Sequence, residues 1–143
     1  MFKKKKKLGS IDTLIDKDFV IKGNTSFSGG LRLDGKLYGD LTFVEDSGGT
    51  LIMGEHSKIK GKVTVETAII AGEIIGDIKC HDYLELQPGS VINGNIEYNS
   101  IEVHAGAKVS GDLRQITKAQ IKAQKKLPFK KDKVIGEKND NWN

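Results

Sequence analysis

Cysteine is almost missing from this chain of 143 residues: Cys80 stands alone, so there is no intramolecular disulfide framework, and the composition fits a reducing compartment. No run of 18 apolar residues is present to cross a bilayer as a helix. A secretory signal needs an apolar stretch after a basic start. Here Leu8 is followed at once by Gly9, Ser10 and Asp12, which predicts an intracellular protein. Aromatics make up only 6% of residues, and no aromatic RNA-binding motif, helix-turn-helix or zinc finger can be traced.

Charge of one sign is missing locally rather than globally. Residues 1 to 10 carry five lysines, Lys3 to Lys7, and no acid. Residues 11 to 114 hold 10 Lys or Arg against 16 Asp or Glu, a net of −6, and residues 115 to 143 hold 8 Lys against 3 acids, a net of +5. The blocks sum to the overall +4, so an acidic body lies between two basic ends. The length suits one modest domain, and neither end looks like part of its core.

What is abundant is glycine in a fixed frame. Fifteen of the 17 glycines fall between Gly23 and Gly111. Six of them sit in a pattern of apolar residue, any residue, Gly, any residue, β-favouring residue: Ile21 to Thr25, Leu37 to Leu41, Ile59 to Val63, Ile74 to Ile78, Ile92 to Ile96 and Val109 to Leu113. Their glycines are 16, 22, 15, 18 and 17 residues apart, a period that predicts one solenoid coil per repeat. A second set, Gly35, Gly54, Gly72, Gly89 and Gly106, punctuates the coils. Between them, Val63-Thr64-Val65, Leu84-Glu85-Leu86 and Ile101-Glu102-Val103 alternate apolar with polar, the mark of short strands with one buried face.

The expected fold is therefore all-β: a single-stranded β-helix of roughly six coils over residues 19–114, with disordered basic tails at 1–18 and 115–143, the second disordered or partly helical. Strands stacked about 4.8 Å apart would make a rod on the order of 30 Å long. The loose spacing favours a right-handed coil, because left-handed β-helices carry a stricter six-residue repeat. Glu45-Asp46-Ser47-Gly48-Gly49 lengthens one coil and is expected to protrude as a loop. An irregular β-sandwich is the competing fold; six aligned frames weigh against it.

Gly29-Gly30-Leu31-Arg32-Leu33-Asp34-Gly35-Lys36-Leu37-Tyr38-Gly39-Asp40-Leu41, Ala71 to Ile78 and Leu86 to Ile96 carry a more specific likeness. Over Ile21 to Leu113 the chain resembles the bactofilins, polymer-forming cytoskeletal proteins of bacteria. The resemblance implies a triangular right-handed β-helix and filaments formed by end-to-end stacking without nucleotide, commonly with like ends meeting. It also implies a scaffold role in cell shape, envelope growth or division, often on the cytoplasmic membrane.

Uncapped coils give a physical reason to polymerise, since they expose unpaired N–H and C=O groups and the end of an apolar core. No amphipathic capping helix is evident before Phe19, and Gln115 to Lys126 has only a weak apolar stripe. The expected polymer interface is Phe19, Val20, Ile21 and Phe27 at one end and Ile101, Val103, Val109 and Leu113 at the other. The alternative for these residues is an ordinary terminal core shielded by the tails. Phe2, Lys3, Lys4, Lys5, Lys6, Lys7 and Leu8 are the expected membrane-binding segment, two apolar side chains around a cationic run suited to anionic lipid. The expected partners are the protein itself, the anionic inner membrane surface and envelope or division proteins, placing the protein in the cytoplasm on the inner face of the cell membrane. Nucleic acid is not expected as the primary partner.

Nothing in the sequence assembles a catalytic or metal centre, and no cofactor is expected. His56, His81 and His104 lack metal-ligand spacing. Adjacent strand residues point to opposite faces, so Cys80 reads as a small core residue and His81 as a solvated corner. A Walker-type phosphate loop is absent, which gives no support to a nucleotide-driven filament. The strict nine-residue repeat of calcium-binding β-rolls is absent too. The alternatives kept in view are a β-helix acyltransferase using His56 or His104, and a non-polymerising membrane or nucleic-acid adaptor.

Overall fold

A computed structural model of the chain describes residues 10–126, with side chains to residue 123. Its first strand, β1 (Thr13–Ile15), precedes the frame and starts the solenoid earlier than the expected boundary at residue 19. The first full coil is β2 (Val20–Lys22), β3 (Thr25–Phe27) and β4 (Gly30–Leu33). The second is β5 (Lys36–Tyr38), β6 (Leu41–Phe43) and β7 (Thr50–Met53). Then β8 (Lys58–Lys60) leads into β9 (Val63–Ile70), and β10 (Glu73–Ile75) into β11 (Ile78–Leu86). The last coils are β12 (Val91–Asn93) with β13 (Ile96–Val103), and β14 (Lys108–Ser110) with β15 (Leu113–Gln115). One helix among the described residues, α1 (Lys118–Lys126), follows.

Every ladder is parallel, and the strands sort into three faces. The first face is the six-stranded sheet β2-β5-β8-β10-β12-β14, one strand per coil. The second stacks β3, β6, the leading halves of β9, β11 and β13, then β15; the third stacks β1, β4, β7 and the trailing halves of the same three strands. The second and third faces count as one sheet because β9, β11 and β13 run around the corner between them. At that corner β11 carries an extra residue, and its register shifts between Cys80 and Tyr83.

The first face follows the glycine frame residue for residue. Ile21, Leu37, Ile59, Ile74, Ile92 and Val109 are register partners in one inward column. The second-face column Leu41, Val63, Ile78, Ile96 and the third-face column Leu33, Met53, Ile70, Leu86 close the core, all fully buried. Each such side chain contributes roughly 1.5–3 kcal/mol on burial, before the entropy of ordering is subtracted.

The frame glycines make the tight corner possible. Gly76 has φ +150°, and a Cβ placed there would run into the carbonyl oxygen of Gly61 in the coil below. The next residue in the frame adds a ladder of its own. Asn24 Oδ1 accepts the Asp40 N–H (2.9 Å), Asp40 Oδ1 accepts the Lys62 N–H (2.9 Å), Asp77 Oδ1 accepts the Asn95 N–H (2.9 Å), and Asn95 Oδ1 accepts the Asp112 N–H (3.0 Å).

The lengthened coil leaves its sheet at residues 44–49, as expected of an insertion. The loop is fastened to the coil before it: Gly29 N–H donates to Ser47 Oγ (3.2 Å), and Val44 N–H to the Phe27 carbonyl (2.8 Å).

Candidate assembly surfaces

The two ends of the solenoid are where its regularity stops. β1, β2 and β3 are the first strands of the three faces, and β14, β15 and the trailing half of β13 are the last; each pairs on one side only. Each end therefore presents a triangle of strand edges around a cut apolar core. In most proteins such edges are covered, charged or bulged, because they template pairing with another chain.

At the N-terminal end Phe19 is 61% exposed and Val20 51%, while Ile21 is half-buried against the core. Val20 is an outward residue, in register with Lys36, so it lies beside the end of the core column rather than in it. Phe27 departs from the expectation of an end-surface residue in the isolated chain: it is only 7% exposed, in register with Phe43 and under the loop that follows Phe43. Leu14 and Ile11 are exposed at the same end. Sequence reasoning passed over them because Thr13-Leu14-Ile15 has no glycine frame.

At the C-terminal end the four expected residues come together, one or two from each face. Ile101 and Val103 end third-face columns, Val109 ends the first-face column, and Leu113 ends the second-face column. Val103 and Leu113 are about half exposed, whereas their register partners Leu86 and Ile96 are fully buried. The exposure therefore comes from the column stopping, not from a polar environment.

The helix does not close this end. Thr117 and Gln120 form a capping box, with Gln120 N–H donating to Thr117 Oγ1 (3.0 Å) and Thr117 N–H to Gln120 Oε1 (2.7 Å). From that cap α1 turns back along the corner between the second and third faces and packs against β11. Ile116 and Ile121 are buried there, and Lys118 Nζ meets Asp82 Oδ1 at 2.9 Å. Two isoleucines five positions apart give only a weak stripe, which is why this docking could not be read from periodicity.

The residues nominated for chemistry fall apart. Cys80 is buried, its Sγ lying 3.1 Å from the Tyr83 carbonyl oxygen and 3.3 Å from that of Glu66; burial pushes the thiol up to about 12. His81 is half-buried rather than a solvated corner, its ring edge-on to Phe43 at 5.4 Å. His56 is exposed. His104 Nε2 lies 2.9 Å from Glu85 Oε2 and 3.5 Å from Glu102 Oε2. Tyr83 O–H reaches the same two carboxylates, at 3.0 and 2.7 Å. Desolvation, then the hydrogen bonds to Glu102 and Glu85, push the Tyr83 phenol well above its ordinary range. Glu85, Glu102 and His104 are close enough to bind a cation together, but they already satisfy one another with Tyr83 and with Gln87, whose Nε2 donates to Glu85 (2.7 Å). Among the described residues no serine, threonine or cysteine is hydrogen-bonded to the His104 ring. The expected membrane segment, Phe2 to Leu8, lies outside the described residues.

With that geometry in view, residues 13–114 match the family model described as "Bactofilin: Polymer-forming cytoskeletal". The chain belongs to the bactofilin family. The matched span begins at the first residue of β1 and ends within β15, so it takes in nearly the whole solenoid. The chain is also similar to Bactofilin BacP of Myxococcus xanthus (strain DK1622), 24% identical over 116 residues, which cover 80% of this chain and 47% of that protein. It thus spans about half the length of the curated relative it matches. No solved structure matches. Membership makes this bactofilin a polymer-forming cytoskeletal protein of a structural family, built as a parallel β-solenoid of about six turns.

Proposed function

We propose that this bactofilin polymerises without nucleotide by stacking its terminal coils end to end, and that the filament scaffolds cell shape, envelope growth or division on the inner face of the cell membrane. The observation that carries the reading is that, among the described residues, nothing covers the two ends: core columns stop at half-exposed Val103 and Leu113, while α1 buries its Ile121, together with Ile116 just before it, on the flank. Stacking would continue all three strand ladders at once, extending both the hydrogen bonds and the apolar core. The work is structural rather than catalytic; the histidines are solvated, packed on an aromatic ring or held between carboxylates.

Residues 2–8 are the proposed membrane contact. Each lysine near an anionic surface contributes about 1 kcal/mol at most, which is weak for a monomer and additive along a filament. Sedimentation of the purified protein with and without nucleotide tests assembly: a pellet that ignores nucleotide is expected, and a protein that stays in the supernatant across salt conditions would remove the proposal. For the membrane contact, deletion of residues 2–8 is expected to lower flotation of the polymer with anionic vesicles.

A further inference from the structure

The first face carries a lysine grid that no acid among the described residues pairs with. On its outward side Lys36 of β5 and Lys58 of β8 are direct register partners. Beside them Lys22 of β2 and Lys60 of β8 flank Tyr38 of β5, and Lys62 sits at the adjoining corner. Neighbouring strands are about 4.8 Å apart, so these ammonium groups share three adjacent strands of a body whose net charge is negative. Like charges directly opposite each other on neighbouring strands destabilise a sheet.

On the other two faces and at the helix, several cations are matched, while Lys108 at the far end of the first face has no such pair among the described residues. Lys17 pairs with Asp18, Arg32 with Asp34, Lys79 and Arg114 with Glu97, and Lys118 with Asp82. None of Lys22, Lys36, Lys58, Lys60 and Lys62 forms such an ion pair among the described residues. The one outward acid on this face is Glu73, opposite Lys58; at the bordering corner Asp40 and Asp77 turn Oδ1 to the backbone N–H groups of Lys62 and Asn95. The acidic row of the third face cannot serve as a partner on a second copy without being dismantled, since Glu85 and Glu102 are held by Tyr83, Gln87 and His104.

We infer that the outer surface of β2, β5 and β8 is the side on which this protein lies against an anionic bilayer, with the five lysines meeting lipid headgroups. The inference deepens the membrane reading above and rests on it. Three register-paired strands turn these side chains to one side of the solenoid, and Tyr38 among the lysines is the residue type that settles at headgroup level. The grid occupies the first three coils, the end at which the described chain enters the solenoid through β1.

The test is flotation of the full-length protein with vesicles of phosphatidylcholine alone or with added phosphatidylglycerol, comparing wild type, the triple variant Lys36→Glu/Lys58→Glu/Lys60→Glu, and a deletion of residues 2–8. All three exchanged side chains point away from the core, and sedimentation and a β-type circular dichroism spectrum check that each variant folds and polymerises. The triple variant is expected to lose partitioning to the anionic vesicles by about tenfold or more, while the deletion keeps a salt-sensitive remainder. If the triple variant floats like wild type, the face assignment is overturned. That holds even if the deletion abolishes flotation, in which case the terminal segment alone is the anchor. Loss of flotation in the triple variant with none in the deletion would keep the face and remove the segment. Wild-type retention on duplex DNA in place of anionic vesicles, abolished by the triple variant, would reassign the grid to nucleic acid and also overturn the inference.

Discussion

Gly76 and Gly23 occupy the same corner of different coils, and comparing them isolates what glycine does there. Both have positive φ, +150° and +130°, but a Cβ on Gly76 would collide with the Gly61 carbonyl whereas nothing lies within 4 Å of one on Gly23. Gly23→Ala is expected to cost about 1 kcal/mol from backbone strain, and Gly76→Ala about 3 kcal/mol or more, because the coils must also part. Urea unfolding followed by circular dichroism measures both; equal losses would show that coil contact is not what selects glycine. At Cys80 the argument concerns the proton. The folded thiol is raised from 9.0 to about 12, chiefly by burial, so the neutral form is favoured in the native state. Its contribution to stability is complete below pH 9.0 and is lost as pH rises toward about 12. Native protein at neutral pH should resist a thiol reagent that labels the urea-unfolded chain at once, and Cys80→Ala should flatten the alkaline fall in stability.

At the scale of elements, the side-chain ladder beside the first face is broken at one rung. Lys62 occupies the position of Asn24, Asp40, Asp77 and Asn95 but has no acceptor to offer the Asp77 N–H. Lys62→Asn should complete the ladder and raise stability by about 0.5–1 kcal/mol, read as a higher melting temperature; Asp77→Ala should lower it by about 1 kcal/mol. The helix has a comparable single point of control, and Thr117→Ala is expected to free α1 and speed proteolysis after Ile116 without changing the β spectrum. These elements were unequally legible from sequence. The glycine spacings of 16, 22, 15, 18 and 17 are the register offsets of the first face, because each frame glycine must sit over the one before it. β1 was hidden, since a strand that opens a solenoid has no coil below it and needs no corner glycine. The facing of Phe27 and Val20 was not legible for another reason: which side of a three-residue strand faces inward depends on the corner before it, and hydrophobicity alone does not report that. The lysine grid was invisible as a grid, because Lys22, Lys36, Lys58 and Lys60 are scattered along the chain and become neighbours only through coil register.

At the scale of the whole molecule, the β-solenoid has regular flanks and unfinished ends. The flanks satisfy their own backbone groups, and on two of the three faces the charged side chains are largely paired as well. What is left over lies at the two triangles of strand edges and on the lysine-bearing face, one suited to another copy of the chain and the other to an external anionic surface. If the ends are the assembly surfaces, a charge placed on a stopped core column should block growth, and the same charge on a flank should not. Electron microscopy of wild type, Val103→Asp, Leu113→Asp and the outward-facing flank variant Thr42→Asp, all without nucleotide, decides this. Filaments are expected from wild type and Thr42→Asp, with folded, β-rich, unpolymerised protein from the two end variants; unchanged filaments from both end variants would contradict assembly through the terminal coils.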